Sequence, residues 1–178
     1  MEELIFKKQG IDLYVDKTSR INHPKEIEVG NHVAIDIGVY ISTAASIGDY
    51  VHIAPYTCII GGKDSRLIME DFSGISAGSK VLCGSDDFTQ GLMNPQVPAE
   101  YRSPKITTVT FERFTCVGVN SVVMPGVTLR EGSVVGANSV LTKDTEPWTI
   151  YVGSPAKPLK IRDKEIILNY AKKLGYEF

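Results

Sequence analysis

An adjacent acidic pair, Asp86-Asp87, and three histidines, His23, His32 and His52, are the side chains of this sequence with most scope for proton chemistry. A carboxylate of the pair can hold a cationic group and take up its proton as a bond forms. The competing reading of the pair is loop solubility and turn capping. His23 precedes Pro24 and His32 falls at a turn, so both read as structural or solvated. His52 follows Val51 at an outward place and can serve as a base or as a donor to a carbonyl oxygen. A metal centre would need three histidines to converge, and only His52 is suitably placed, so no metal is expected. Cys58, Cys83 and Cys116 are odd in number and lack Cys-x-x-Cys spacing, which argues against disulfides and zinc and favours small buried fillers.

The elements that must position these groups follow from composition and period. The chain has 178 residues, enough for one domain, and its 16 glycines and 9 prolines are spread along it, which favours a turn-rich β structure. A net charge of -2 gives no broad basic surface, so nucleic acid is not an expected partner. No apolar run reaches signal-peptide or membrane-spanning length, and the expectation is a soluble, cytoplasmic protein with no membrane partner.

Every sixth residue from Val29 is aliphatic: Val29, Ile35, Ile41, Ile47, Ile53 and Ile59. Four places after the first five stand Val33, Val39, Ala45, Val51 and Thr57, small or β-branched. The period returns at Met69, Ile75 and Val81 with Ser73, Ser79 and Ser85, after a four-residue insertion placed at Gly61-Gly62-Lys63-Asp64. It returns again from Phe111 through Val117, Val123, Leu129 and Val135 to Leu141. Between Val81 and Phe111 an excursion over about 86–104 leaves the coil and rejoins it. Each hexapeptide supplies one strand and one turn, three make a triangular coil, and the inward aliphatics stack from coil to coil. Gly30, Gly48, Gly118 and Gly136 follow inward aliphatics and are expected to ease turns or admit a ligand to the backbone.

The pattern predicts an N-terminal cap over 1–28, the repeat coil over 29–146 and an extension over 147–178, all in a single domain. In the extension, Pro147-Trp148 is expected to end the coil. The run Asp163 to Gly175, acidic at its start, basic late and closed by glycine, reads as an amphipathic helix packed on the last coil or on a neighbouring subunit.

The hexads around Ile47-Gly48-Asp49-Tyr50-Val51-His52, the run Val135-Gly136-Ala137-Asn138-Ser139-Val140-Leu141-Thr142-Lys143-Asp144, and the segment Gly153-Ser154-Pro155-Ala156-Lys157 together resemble the hexapeptide-repeat acyltransferase superfamily. The resemblance implies an all-β fold, a left-handed parallel β-helix of hexapeptide repeats with a protruding loop and a C-terminal α-helix. It also implies acetyl-CoA as cosubstrate and a homotrimer with active sites between subunits. Gly118, Ala137, Thr142, Lys143 and Lys160 take positions whose family counterparts line the CoA groove, where small residues admit the pantetheine chain and lysines neutralise phosphate.

The galactoside O-acetyltransferases of this superfamily carry a histidine where this sequence has Ser85, and the Glu-His pair of another branch is missing before Ile47-Gly48. An alcohol acceptor needs a positioned base worth roughly 10²- to 10⁴-fold. An amine titrating near the α-amino value of about 7.7–8.0 is partly neutral at cytoplasmic pH and can attack once positioned. The missing histidine therefore favours nitrogen. The Ser85-Asp86-Asp87 step, followed by Leu92-Met93-Asn94-Pro95 and Val97-Pro98-x-x-Tyr101, resembles the amino-sugar N-acyltransferases. The leading expectation is N-acetylation of a nucleotide-linked amino sugar for surface polysaccharide, such as lipopolysaccharide. Asp86, Asp87 and His52 are the catalytic candidates, and Ser85, Glu70, Asn94, Tyr101 and Arg102 the acceptor contacts. The alternatives are a sugar O-acetyltransferase with His52 as base, an idle trimeric scaffold, and a metal-bound β-helix of the γ-carbonic anhydrase kind.

Overall fold

The computed structural model describes residues 5–177. Short strands fall into three parallel sheets, one on each side of a three-sided left-handed coil. The first sheet stacks Lys8–Gln9, Ile27–Val29, Ala44–Ile47, Arg66–Met69, Thr108–Phe111 and Thr128–Leu129. The second stacks Leu13–Val15, Val33–Ile35, His52–Ile53, Gly74–Ile75, Cys116–Val117, Val134–Val135 and Thr149–Gly153, with Ala156–Ile161 added antiparallel. The third stacks Arg20–Ile21, Tyr40–Ile41, Cys58–Ile60, Lys80–Leu82, Val122–Val123 and Val140–Leu141.

The register is set by the inward aliphatics. Val29 pairs with Ile47, Ile47 with Met69, Met69 with Phe111 and Phe111 with Leu129, all buried. Ile35, Ile53, Ile75, Val117 and Val135 line the second side, and Ile41, Ile59, Val81, Val123 and Leu141 the third. Each buried side chain of this kind contributes about 1.5–3 kcal/mol, so these columns are the core. Several buried hydroxyls at the intervening inward places are satisfied by main-chain carbonyls: Ser79 donates to Gly118 O at 2.9 Å and Ser121 to Gly136 O at 2.8 Å.

Four sequence expectations are corrected. Residues 8–21 are not a cap outside the repeat, because their strands pair with 27–41 as a full coil. Its polar outward residues and half-buried Leu13, Val15 and Ile21 hide the period. Pro147-Trp148 does not end the coil, since Thr149–Gly153 adds a further strand beside Val134–Val135. Ser85 is not inward: the chain leaves the core after Cys83, and Gly84–Asp86 forms an antiparallel ribbon with Pro104–Ile106. The excursion therefore has a built neck, with Thr107 donating to Cys83 O through both its amide (3.0 Å) and its hydroxyl (2.7 Å). Finally, none of Gly30, Gly48, Gly118 and Gly136 has positive φ.

At the edge between the first and second sheets, positive φ falls on His32, Tyr50, Phe72, Phe114 and Trp148. Their rings stack along the coil axis at 4.6, 5.1, 5.3 and 5.9 Å between neighbouring centroids. Beside this ladder, Asp49 accepts the Asn31 amide (2.7 Å) and Asp71 accepts the Asp49 amide (2.8 Å). Each such carboxylate fills the space over the glycine of the coil before. A Cβ on Gly30 would stand 2.4 Å from Asp49 Oδ1 and 2.6 Å from the Gly48 carbonyl carbon and oxygen. Gly30→Ala is expected to cost about 1–3 kcal/mol, because backbone has to shift. Urea unfolding measures the loss, and an unchanged midpoint contradicts the packing argument.

The terminal helix spans Glu165–Lys173, with Glu165 in its first turn, Lys172 and Lys173 in its last, and Gly175 at φ +89 beyond it. It crosses the middle coils rather than the last, turning Ile167, Tyr170 and Leu174 toward the strands of His52, Gly74 and Cys116. Tyr176 anchors its end, donating to Asp49 Oδ2 at 2.8 Å and meeting Tyr50 and Phe72 edge-on. Among the described residues, no helix is long and apolar enough to cross a membrane.

Candidate active site

The ribbon of the excursion brings Ser85, Asp86 and Arg102 together. Asp86 lies opposite Pro104 in the ribbon, and Arg102 Nη2 donates to Asp86 Oδ1 at 3.3 Å, both side chains being mostly covered. Asp87 points the other way. Its Oδ1 accepts the Thr89 hydroxyl (2.7 Å) and amide (2.9 Å), and Lys105 Nζ lies 3.4 Å from Oδ2. The Thr89 donors first, and Lys105 after them, hold the Asp87 carboxyl below the usual carboxylate range against the opposing effect of burial. That makes Asp87 a turn-capping anion with little tendency to take a proton, whereas among the described residues the Asp86 carboxylate meets Arg102.

Further out, Asn94 Oδ1 accepts the Gln96 amide at 2.9 Å. Tyr101 accepts the Leu92 amide through its carbonyl at 2.8 Å and leaves its ring exposed. Phe88, Leu92 and Met93 are exposed with it. The loop thus has a polar neck and an aromatic and aliphatic tip.

His52 lies on the second sheet, at the mouth of a cleft of about 480 Å³ between that sheet and the terminal helix. Its Nε2 is 2.7 Å from Asp36 Oδ2. With the proton on Nε2 donated to the carboxylate, Nδ1 is left as the acceptor. The loop springs from the edge where the third sheet meets the first, opposite the second sheet. Within one chain, then, His52 is across the coil from Ser85, Asp86 and Arg102. Glu70 stands at a third place, the edge of the aromatic ladder, where its Oε2 accepts the Arg113 amide at 3.2 Å beside a polar cleft of about 640 Å³.

The five residues assigned to the CoA groove also separate within one chain. Gly118 and Ala137 sit at the edge between the second and third sheets. A Cβ on Gly118 would stand 2.6 Å from the Ala137 amide nitrogen, so coil packing alone requires this glycine. Thr142 and Lys143 are exposed on the same edge as the loop, farther along the coil. Lys160 is exposed on the last hairpin, paired with Ile150. Among the described residues, no group of three or more His, Cys, Asp or Glu side chains is arranged to hold a metal.

Sequence reasoning missed Asp36 and Asp49. Burial pushes the Asp49 carboxyl up, but the Asn31 amide, the Tyr176 hydroxyl and the Asn31 side chain together hold it below the usual range, while Tyr176 is pushed up to about 12. The sign follows from linkage: a lowered folded value stabilises above the ordinary carboxylate pKa, and that stability is lost as pH falls through the folded value. Asp49→Asn is expected to flatten the decline in urea midpoint on acidification below about pH 4. Parallel declines in wild type and variant contradict this assignment.

Six-residue repeats wound into three-sided left-handed coils, broken by one loop with a polar neck, define a hexapeptide-repeat β-helix of the acyltransferase type. No family model matches the chain. It is 33% identical over 171 residues to a dTDP-4-amino-4,6-dideoxy-D-glucose acyltransferase of Escherichia coli, covering 94% of this chain and 88% of that protein. It is 27% identical over 156 residues to the putative lipopolysaccharide biosynthesis O-acetyl transferase WbbJ of the K12 strain, covering 83% and 74%. Among solved structures it is similar to AntD, an N-acyltransferase from Bacillus cereus. A variant of AntD in complex with dTDP and coenzyme A aligns at a TM-score of 0.91 and 33% identity, over 96% of this chain and 91% of that one. AntD with dTDP and 3-hydroxybutyryl-CoA aligns at 0.90 and 34%, over 96% and 90%. The chain belongs to the hexapeptide-repeat acyltransferase family. The fold and enzyme class expected from its sequence are borne out.

Proposed function

We propose that this protein transfers an acyl group from acyl-CoA to the amine of a nucleotide-linked amino sugar. The observation that carries this reading is the loop neck. Where the O-acetyltransferases of the resemblance carry a histidine, this chain presents Ser85 beside Asp86, with Arg102 at 3.3 Å holding the carboxylate in place. The similarity to a dTDP-amino-sugar acyltransferase and to AntD bound to dTDP and acyl-CoA supports the same donor and acceptor classes.

The amine lone pair attacks the thioester carbonyl carbon, the carbon–sulfur bond breaks and CoA leaves as the thiolate. The new nitrogen carries a surplus proton, which Asp86 receives and which then reaches the thiolate. The products are an amide and CoA thiol. Ser85, Arg102, Asn94 and Tyr101 contact the sugar nucleotide, with Glu70 a further acceptor contact. Gly118, Ala137, Thr142, Lys143 and Lys160 contact CoA, and Asp87 shapes the turn. Because these groups occupy separate edges of one chain, the reading assembles each site between subunits of a homotrimer, where His52 of one subunit can face the loop of the next. Acetyl is the proposed acyl group, surface polysaccharide such as lipopolysaccharide the proposed destination, and the cytoplasm the proposed compartment.

The close His52–Asp36 contact at 2.7 Å favours one second reading, O-acetylation with His52 as base. Thiol release from acetyl-CoA, measured against matched nucleotide amino sugars and their hydroxyl counterparts, separates the two. The proposal expects turnover confined to the amines. Turnover on hydroxyl sugars that is lost in His52→Asn would replace it with the second reading.

A further inference from the structure

Among the described residues Arg162 is a cation with no counter-ion, set in the wall of an apolar cleft. It follows the last hairpin, and its Nη1 donates to Phe114 O at 2.8 Å and Gly132 O at 3.0 Å, while the guanidinium carbon lies 5.9 Å from the Trp148 ring. Among the described residues no carboxylate lies within ion-pair distance of it, although the other arginines beside the solenoid edge, Arg113 and Arg130, have Glu131 and Glu112. Burial holds its pKa below the ordinary arginine value, as expected where the charge is partly stripped of water. The carbonyls fix the group's position but do not neutralise it.

The cleft that Arg162 lines is the one beneath the terminal helix, about 480 Å³ in volume, within the range of small-molecule sites. Its floor is open because Gly74 stands between the His52 and Cys116 strands without a side chain. Its roof is Ile167, Tyr170 and Leu174. His52 lies at the mouth, already matched by Asp36. An apolar slot with one unmatched cation at its wall selects a ligand with one negative end and an apolar body.

We infer that this cleft binds a monocarboxylate with a short aliphatic chain, its carboxylate on Arg162 and its chain between Gly74 and the helix. Nothing in this inference depends on the acceptor proposed above. A ligand here bridges the solenoid and the helix and so tightens the C-terminal arm.

The protein reports on this site itself, since Trp148 is its single tryptophan. Titration of the intact protein with hexanoate is expected to give a saturable change in Trp148 fluorescence, with hexan-1-ol and hexylammonium at least about tenfold weaker. Arg162→Met is expected to abolish the discrimination between hexanoate and hexanol. Gly74→Leu, which fills the floor while leaving Arg162 in place, is expected to abolish the response to hexanoate with the thermal midpoint retained. Equal responses to the acid and the alcohol, or full hexanoate affinity in both variants, overturn the inference. So does displacement of hexanoate by CoA, which would assign the cleft to the acyl donor.

Discussion

Asp86→Asn is expected to lower kcat on the amino-sugar acceptor about 10²-fold, with a smaller effect on KM for acyl-CoA. Asparagine keeps the shape and one acceptor oxygen but cannot take the amine's surplus proton, so the loss falls on the chemical step. Asp87→Asn is the internal comparison. Its carboxylate is committed to Thr89 and Lys105, and its replacement is expected to loosen the turn and change kcat less than tenfold. Arg102→Lys keeps a charge near Asp86 but loses the planar guanidinium, and is expected to fall between them. Steady-state rates on purified variants decide the order. If Asp87→Asn is the more damaging change, the assignment of roles within the pair is reversed.

The second large effect concerns the fold. Phe111→Ala is expected to cost about 3–5 kcal/mol, at the upper end of what single core truncations cost. Phe111 is fully buried between Met69 and Leu129 and is the first wide side chain after the excursion. The chain pays for leaving the coil at Cys83 with loop-closure entropy, and Phe111 seats the returning strand on Met69. Chemical denaturation measures the loss. A cost below about 1 kcal/mol would mean that the coil closes around the deletion, contrary to the rigid stacking described here.

Much of this architecture can be read from residue types, because stacking demands the same size and polarity at the same place in every coil. Ile35, Ile53, Ile75, Val117 and Val135 repeat along one side for that reason. The four-residue insertion at 61–64 shows as a phase shift and stands as a turn before Arg66–Met69. The period fades where outward residues and core residues look alike. Leu13, Val15 and Ile21 lie among charged and polar neighbours, so the first coil passes for a cap. Pro147-Trp148 has the composition of a terminator, yet Trp148 continues the ladder over Phe114 and its ring covers Gly132. That ladder was detectable: His32 and Tyr50 are one coil apart, and Phe72 follows after the insertion.

The candidate site is less legible. Sequence marks Ser85, Asp86 and Asp87 as a group, but only the ribbon that folds Arg102 back onto Asp86 distinguishes one aspartate from the other. His52 and Asp36 meet because successive coils overlie each other, a relation hidden unless residues are counted around the coil. Conversely, Gly118 resembles a ligand-approach glycine, but the nearby Ala137 amide would demand a glycine there in any case, so its presence in the sequence does not by itself mark a ligand.

Nitrogen, not oxygen, accepts the acyl group. The most direct measurement offers both nucleophiles on one molecule. The protein is incubated with acetyl-CoA and dTDP-4-amino-4,6-dideoxyglucose, which carries one amine and free ring hydroxyls, and the product is treated with hydroxylamine before mass analysis. A singly acetylated product that survives hydroxylamine is an amide and is the predicted result. An acetylated product that hydroxylamine returns to starting material is an ester, and would make oxygen the acceptor instead.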